Sequence, residues 1–263
     1  MKKSIVFIHG AWMTPLCWEK FTSFFEGKGY QCLAPAWPHR DHPTESLRSS
    51  PPAELAGLGV KEIVDHYERI IRTMDPQPFL IGHSFGGLFV QQLLDRGLAK
   101  AGVAIHPAPP RGILPFQPSV IRANFHVLTT WKGWKKILRM SFADFQYAFV
   151  NTMPLAAQQE AYDRYVVPET GRIFFQAATA LMDVNSPLAV NFANSVRAPL
   201  LLLAGSEDNI VPAVVNKKNF RKYEPSKART DFMVFEGRSH WTIGQEGWEE
   251  VAEYTAQWLA SVH

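Results

Sequence analysis

The chain has 263 residues, 46% hydrophobic and 19% charged, a balance that fits one large globular domain and excludes a disordered or fibrous chain. Its formal net charge of +3 is weak and scattered, the densest basic run lying at residues 132–139, which excludes an electrostatic footprint for nucleic acid. Cys17 and Cys32 fit no metal-ligand or Cys-x-x-Cys spacing, and no apolar run reaches the roughly 18 residues of a membrane span, so the expectation is a soluble cytoplasmic protein that folds without disulfide or metal.

Residues 4–8 are rich in β-branched residues and are predicted to form a buried strand, which runs straight into His9-Gly10-Ala11-Trp12. Trp18, Phe21, Phe24 and Phe25 recur at helical spacing until Gly27 or Gly29 stops the helix. Residues 30–34 form a second predicted strand, and residues 35–52, rich in Pro, Ser and His, a loop. Ile63, Val64, Tyr67, Ile70 and Ile71 mark an amphipathic helix over 60–74. A strand over 78–81 then enters Gly82-His83-Ser84-Phe85-Gly86, and a helix follows to Gly97.

Strand, sharp turn and helix around Gly-x-Ser-x-Gly is the setting of a nucleophile elbow. Turning within about one residue strains the serine backbone and exposes its hydroxyl above the end of the sheet. Glycine is needed at 82 and 86, where side chains would collide with the neighbouring strand and helix. Residues 101–105 are a further short strand. Apolar strands alternating with helices predict a mostly parallel, doubly wound α/β sheet covered on both faces.

The alternation breaks at His106, and no strand is predicted before about residue 197. This aromatic-rich stretch is read as an inserted helical cap over 108–197, with a core domain over 1–107 and 198–263. Most of its aromatic side chains are expected to form the cap's own core and a minority to line an apolar substrate pocket. Trp131 and Trp134, with Trp12 and Trp241 from the core, are the pocket candidates. Strands resume at 199–204 and 232–235, and an amphipathic helix over 248–259 closes the fold.

A serine hydroxyl needs a base in hydrogen-bond reach and a third group to orient that base. Elbow enzymes place the acid and then the histidine after the serine. Among nine histidines, His240 is the one that follows a late strand and precedes the last helix. Asp208 leaves the end of the 199–204 strand, where sites of parallel sheets lie, and is preferred over Glu207 and Asp231 as the acid. The predicted catalytic residues are therefore Ser84, Asp208 and His240. The oxyanion donors are predicted to be the backbone N–H of Phe85 and that of Ala11, with Trp12 as the rival to Ala11. His83 and His9 are read as structural, and His106 has no evident partner. The spacing of His39, Asp41 and His42 does not make a metal site, and neither metal nor cofactor is expected.

With these residues in view, the chain resembles the α/β-hydrolase superfamily over nearly its whole length. His9-Gly10-Ala11-Trp12 matches the oxyanion loop, Gly82 to Gly86 the elbow, Gly205-x-x-Asp208-x-x-Val211-Pro212 the acid loop and Ser239-His240 the base. The resemblance implies an eight-stranded, mostly parallel sheet with a helical lid after the sixth strand. Relatives with an aspartate nucleophile, the haloalkane dehalogenases and epoxide hydrolases, are disfavoured by Ser84, and hydroxynitrile lyases by Gly10, where those have threonine. Ala34-Pro35-Ala36-Trp37-Pro38-His39-Arg40-Asp41 departs from the superfamily's glycine-containing loop, which changes its shape. The activity implied is a serine esterase or lactonase acting on a small-molecule ester. The alternatives are a cofactor-free perhydrolase or acyltransferase, and a small-molecule receptor that keeps the triad.

Overall fold

A computed structural model describes residues 3–262; Met1, Lys2 and His263, the ends of the expected core domain, lie outside the described residues. The chain runs β1 (Ser4–Ile8), α1 (Glu19–Gly27), β2 (Gln31–Leu33), α2 (Thr44–Ser49), α3 (Val60–Ile71), β3 (Phe79–His83), α4 (Phe85–Asp95) and β4 (Ala101–Ile105). It continues with α5 (Pro118–Thr129), β5 (Ile137–Leu138), α6 (Phe142–Ala148), α7 (Leu155–Tyr165), β6 (Glu169–Thr170) and α8 (Arg172–Thr179). It ends with β7 (Leu200–Gly205), α9 (Ala213–Lys222), β8 (Thr230–Phe235) and α10 (Trp248–Ser261).

Six strands form one sheet in the order β2-β1-β3-β4-β7-β8, every neighbouring pair parallel. Parallel strands need helical crossovers, which cover both faces and bury the strands from both sides. That is why β1, β3, β4 and β7 read as unbroken apolar runs: beyond the half-buried Ser4 that opens β1, each of their residues is buried. Phe7 packs against Trp18 and Phe25 on the side of α1, and α1 packs on α10. α4 lies across β1, β3 and β4 on the other face, with α3 against it.

The register aligns the carboxyl ends. Ile8 pairs with Gly82, His83 with Ile105, and Ile105 with Leu203. The loops carrying His9, Ser84, His106 and Asp208 therefore leave the same edge of the sheet. Strand order reverses between β1 and β3, the position at which open α/β sheets form a crevice.

Three expectations are corrected. The described sheet has six strands and not eight, because no other described segment joins it. Within 106–197 lie two strands, β5 and β6, which pair antiparallel; at two residues each they are too short to show a period of two in sequence. The 35–52 loop contains the six-residue helix α2. No described helix is long and apolar enough to cross a membrane.

Candidate active site

Ser84 stands between β3 and α4 with φ 57 and ψ −120, a left-handed conformation that non-glycine residues seldom adopt. The turn is enforced by close packing. A Cβ on Gly82 would overlap the Gly86 carbonyl, and a Cβ on Gly86 would overlap the Ile8 carbonyl of β1. The Ser84 N–H donates to Ile105 O at 3.0 Å, and its carbonyl accepts from Gly87, Leu88 and Ala108. The backbone is thus fixed on both sides while the side chain reaches a cavity.

Asp208 leaves β7 and is buried with both oxygens satisfied. Oδ1 accepts the N–H groups of Ile210 at 2.9 Å and Val211 at 2.8 Å. Oδ2 accepts from Nδ1 of His240 and Nδ1 of His106, each at 2.6 Å. Burial alone would raise the Asp208 pKa; the His240 charge and the two imidazole donors outweigh it and hold the carboxyl well below the usual carboxylate range. An ionised carboxylate only accepts, so both rings carry their proton on Nδ1. His240 Nε2 is buried and has no hydrogen-bond partner among the described residues.

The His240 ring is boxed by Phe149, edge-on at 4.8 Å, and by His83 at 4.6 Å. His83 Nε2 donates to the His240 carbonyl at 2.8 Å, which ties the loop after β8 to the end of β3. Burial, then the neighbouring His240 and His106, keep His83 neutral, well below its ordinary pKa. Ser84 makes no hydrogen bond to His240; catalytic hydrogen bonds are often long until substrate binds. The two rival acids lie elsewhere. Asp231 accepts from Arg229 at 2.7 Å and Trp258 at 2.6 Å, and the Glu207 carboxylate accepts the Ser206 hydroxyl at 3.3 Å.

The loop after β1 passes beside Ser84. A Cβ on Gly10 would lie 2.8 Å from Ser84 Cβ and 2.9 Å from His83 O. His9 fixes this loop: Nδ1 donates to Gly10 O at 2.9 Å and Nε2 accepts the Trp37 N–H at 3.2 Å. Burial, helped by Arg40, lowers the His9 pKa to about 3, so the ring is neutral. Of the two rival amides, that of Trp12 is taken by Glu169 Oε2 at 3.1 Å. The N–H groups of Ala11 and Phe85 donate to no acceptor among the described residues.

Ser84 opens into a cavity of about 320 Å³. Ala11, Trp12 and Phe85 form its floor, and Phe149, Phe174 and Ala177 line it from the 106–197 stretch. Besides Ser84 its only polar lining side chains are Arg111 and Asn124, which donate to Ala180 O and Val120 O. Of the four tryptophans expected here, Trp12 lines the cavity. Trp131 is 76% exposed, Trp134 packs on Phe175 at the surface, and Trp241 is buried against Tyr165. Sequence reasoning missed His106, Phe149 and Phe174. His106 alone carried a signal, its place directly after a buried strand.

The nitrogens of His106 and His240 and a carboxylate oxygen of Asp208 lie within 4.8 Å of one another, a spacing that suits a cation. The geometry argues against it, since both Nδ1 atoms need their protons for Asp208.

A model of the Alpha/beta hydrolase family matches residues 5–254. No curated protein matches the sequence significantly. Solved structures similar to this one include a monoacylglycerol lipase from Paleococcus ferrophilus, with TM-score 0.69, 24% identity, and coverage of 99% of this chain and 95% of that one. A methylesterase from Arabidopsis is similar at TM-score 0.68 and 15% identity, covering 98% of this chain and 99% of the other. A methylketone synthase from tomato is similar at TM-score 0.71 and 14% identity, with both chains covered completely. Such different names on one backbone mean that fold alone leaves the substrate open.

Proposed function

We propose that this chain, which belongs to the alpha/beta hydrolase family, is a serine hydrolase that cleaves a small or medium hydrophobic carboxylic ester or lactone. The observation that carries the reading is the setting of His240: Nδ1 donates to the Asp208 carboxylate, and Nε2 is buried with no partner among the described residues, at the same end of the sheet as Ser84. An imidazole oriented in this way can serve as the general base for a hydroxyl proton.

In this reading Ser84 Oγ attacks the ester carbonyl carbon and its proton passes to His240 Nε2. The imidazolium formed is stabilised by Asp208. Negative charge developing on the carbonyl oxygen is received by the N–H groups of Ala11 and Phe85, each worth roughly 3 kcal/mol of barrier. The second lies at the positive end of α4. His240 then returns the proton to the leaving alcohol oxygen. Water, deprotonated by His240, attacks the acyl-enzyme and frees Ser84. The apolar lining of the cavity favours an uncharged acyl or alcohol group. The stretch 108–197 acts as a cap that builds this pocket over a core of 1–107 and 198–263. The lipase and methylesterase names of two similar structures agree with ester chemistry.

The test is release of p-nitrophenol from acetate, butyrate and octanoate esters by the purified protein and by Ser84→Ala. Turnover is expected to fall by about 1,000-fold or more in the variant, with a clear chain-length optimum in the parent. Full activity in Ser84→Ala would remove the scheme. Tight ligand binding with no turnover would favour a receptor.

A further inference from the structure

Trp12 has φ 68, in the left-handed region, which is a genuine outlier for so bulky a residue. Such backbone persists only where its surroundings over-determine it. Both hydrogen-bonding groups of Trp12 are held by one distant stretch. Its N–H donates to Glu169 Oε2 at 3.1 Å, and its carbonyl accepts the Val167 N–H at 2.9 Å. Its ring is buried and packs on Phe174 at 5.3 Å.

Glu169 is itself fully buried and anchored. Oε1 accepts Arg40 Nη2 at 2.6 Å and the Thr170 N–H at 2.7 Å. Arg40, from the loop after β2, is equally buried and donates to Met13 O at 2.7 Å and Pro168 O at 2.8 Å. It therefore touches the residue after Trp12 and the residue before Glu169. Burial raises the Glu169 pKa overall, against the downward pull of Arg40 and of the N–H groups of Thr170 and Trp12. With an always-protonated guanidinium at ion-pair distance, the carboxylate is the form that fits. Buried ion pairs add little stability over well-packed apolar side chains, so this one calls for a geometric explanation.

We propose that Glu169 is a positioning residue for the oxyanion loop: by holding the Trp12 N–H it fixes Trp12 in its strained form and leaves the Ala11 N–H to meet the substrate oxyanion. Arg40 keeps the carboxylate aimed. The proposal rests on the ester-hydrolase reading.

Two double variants isolate the acceptor. In Arg40→Met/Glu169→Gln the amide oxygen can still accept from Trp12. In Arg40→Met/Glu169→Leu nothing at that position can. Both lack the buried charges and are close in size. With p-nitrophenyl butyrate, kcat is expected to be about ten-fold or more lower in the leucine double variant than in the glutamine one, with KM within about two-fold. Equal kcat values would overturn the proposal. Hydrogen exchange at the Trp12 amide reads the clamp without turnover and is expected to be about ten-fold faster in the leucine double variant. Equal rates would overturn it too. Should a double variant fail to fold, the parent protein decides: slow exchange at Trp12, like that of sheet amides, is expected, and exchange as fast as in exposed loops sinks the clamp. Differential exchange in a protein with no Ser84-dependent hydrolysis would instead remove the ester reading, so the two failures are distinguishable.

Discussion

Ser84 keeps its strained conformation because its neighbours have no side chain to spare, and Gly10 is the neighbour that faces it. A methyl at Gly10 would lie 2.8 Å from Ser84 Cβ and 2.9 Å from His83 O, closer than real contacts allow, so the loop after β1 must retreat. Gly10→Ala is expected to lower kcat by about ten- to hundred-fold while the thermal midpoint moves only a few degrees. Wild-type kcat in that variant would contradict the tight loop–nucleophile approach. At this scale the sequence is informative where the chemistry is local. Ser84 announces itself through five consecutive residues, and Asp208 and His240 through order along the chain. His106 shows only its place after a buried strand, and its partner Asp208 is 102 residues away. The tryptophans show less: bulk and apolarity say that Trp131, Trp134 and Trp241 favour burial, not which surface they meet, and Trp131 ends up mostly in solvent.

The elbow works as an element because β3, α4 and β1 are pressed together with glycine between them. Gly86 sits where α4 crosses the end of β1, and an added Cβ would overlap the Ile8 carbonyl, which is backbone and cannot swing away. Gly86→Ala is therefore expected to cost about 3 kcal/mol, read as a lowered urea midpoint at unchanged m-value; an unchanged midpoint would refute this packing. Elements of this buried kind are legible in sequence. β1, β3, β4 and β7 are continuous apolar runs because both faces are covered, and α3 shows its period because one side only is buried. β2 is a half-exposed edge strand and reads weakly. β5 and β6 are defined by each other, through pairing between residues about thirty apart, and no local pattern encodes that.

For the molecule as a whole, stability is tied to histidines kept neutral in the interior. The pKa of His9 is lowered from 6.5 to about 3, chiefly by burial, and burial lowers His83 and His106 as well. A group whose pKa is depressed by folding binds protons more readily when unfolded, so stability is full above 6.5 and is lost as pH falls towards the folded value. Unfolding free energy is expected to drop by at least about 1.4 kcal/mol between pH 6 and 5, measured by urea titration; a flat profile would show that these rings protonate without unfolding. The cavity sets a second global property. Ala177 lines it, and Ala177→Phe is expected to shift the acyl optimum to shorter chains, lowering kcat/KM for octanoate about ten-fold relative to butyrate as two methylenes lose their place. An unchanged optimum would put the acyl group elsewhere. The parallel sheet was legible from the alternation of elements; the cavity was not, since its wall joins residues from 11 to 211. The Arg40–Glu169 pair, finally, bears on ancestry. It joins two stretches that recombination between relatives would separate, and a chain receiving a foreign segment without an acid at this point would enclose a guanidinium with no counter-charge. The segment around Glu169 and the loop after β2 are thus expected to be inherited together, and new substrate preferences to arise by substitution around the cavity, not by exchange of that segment as a module.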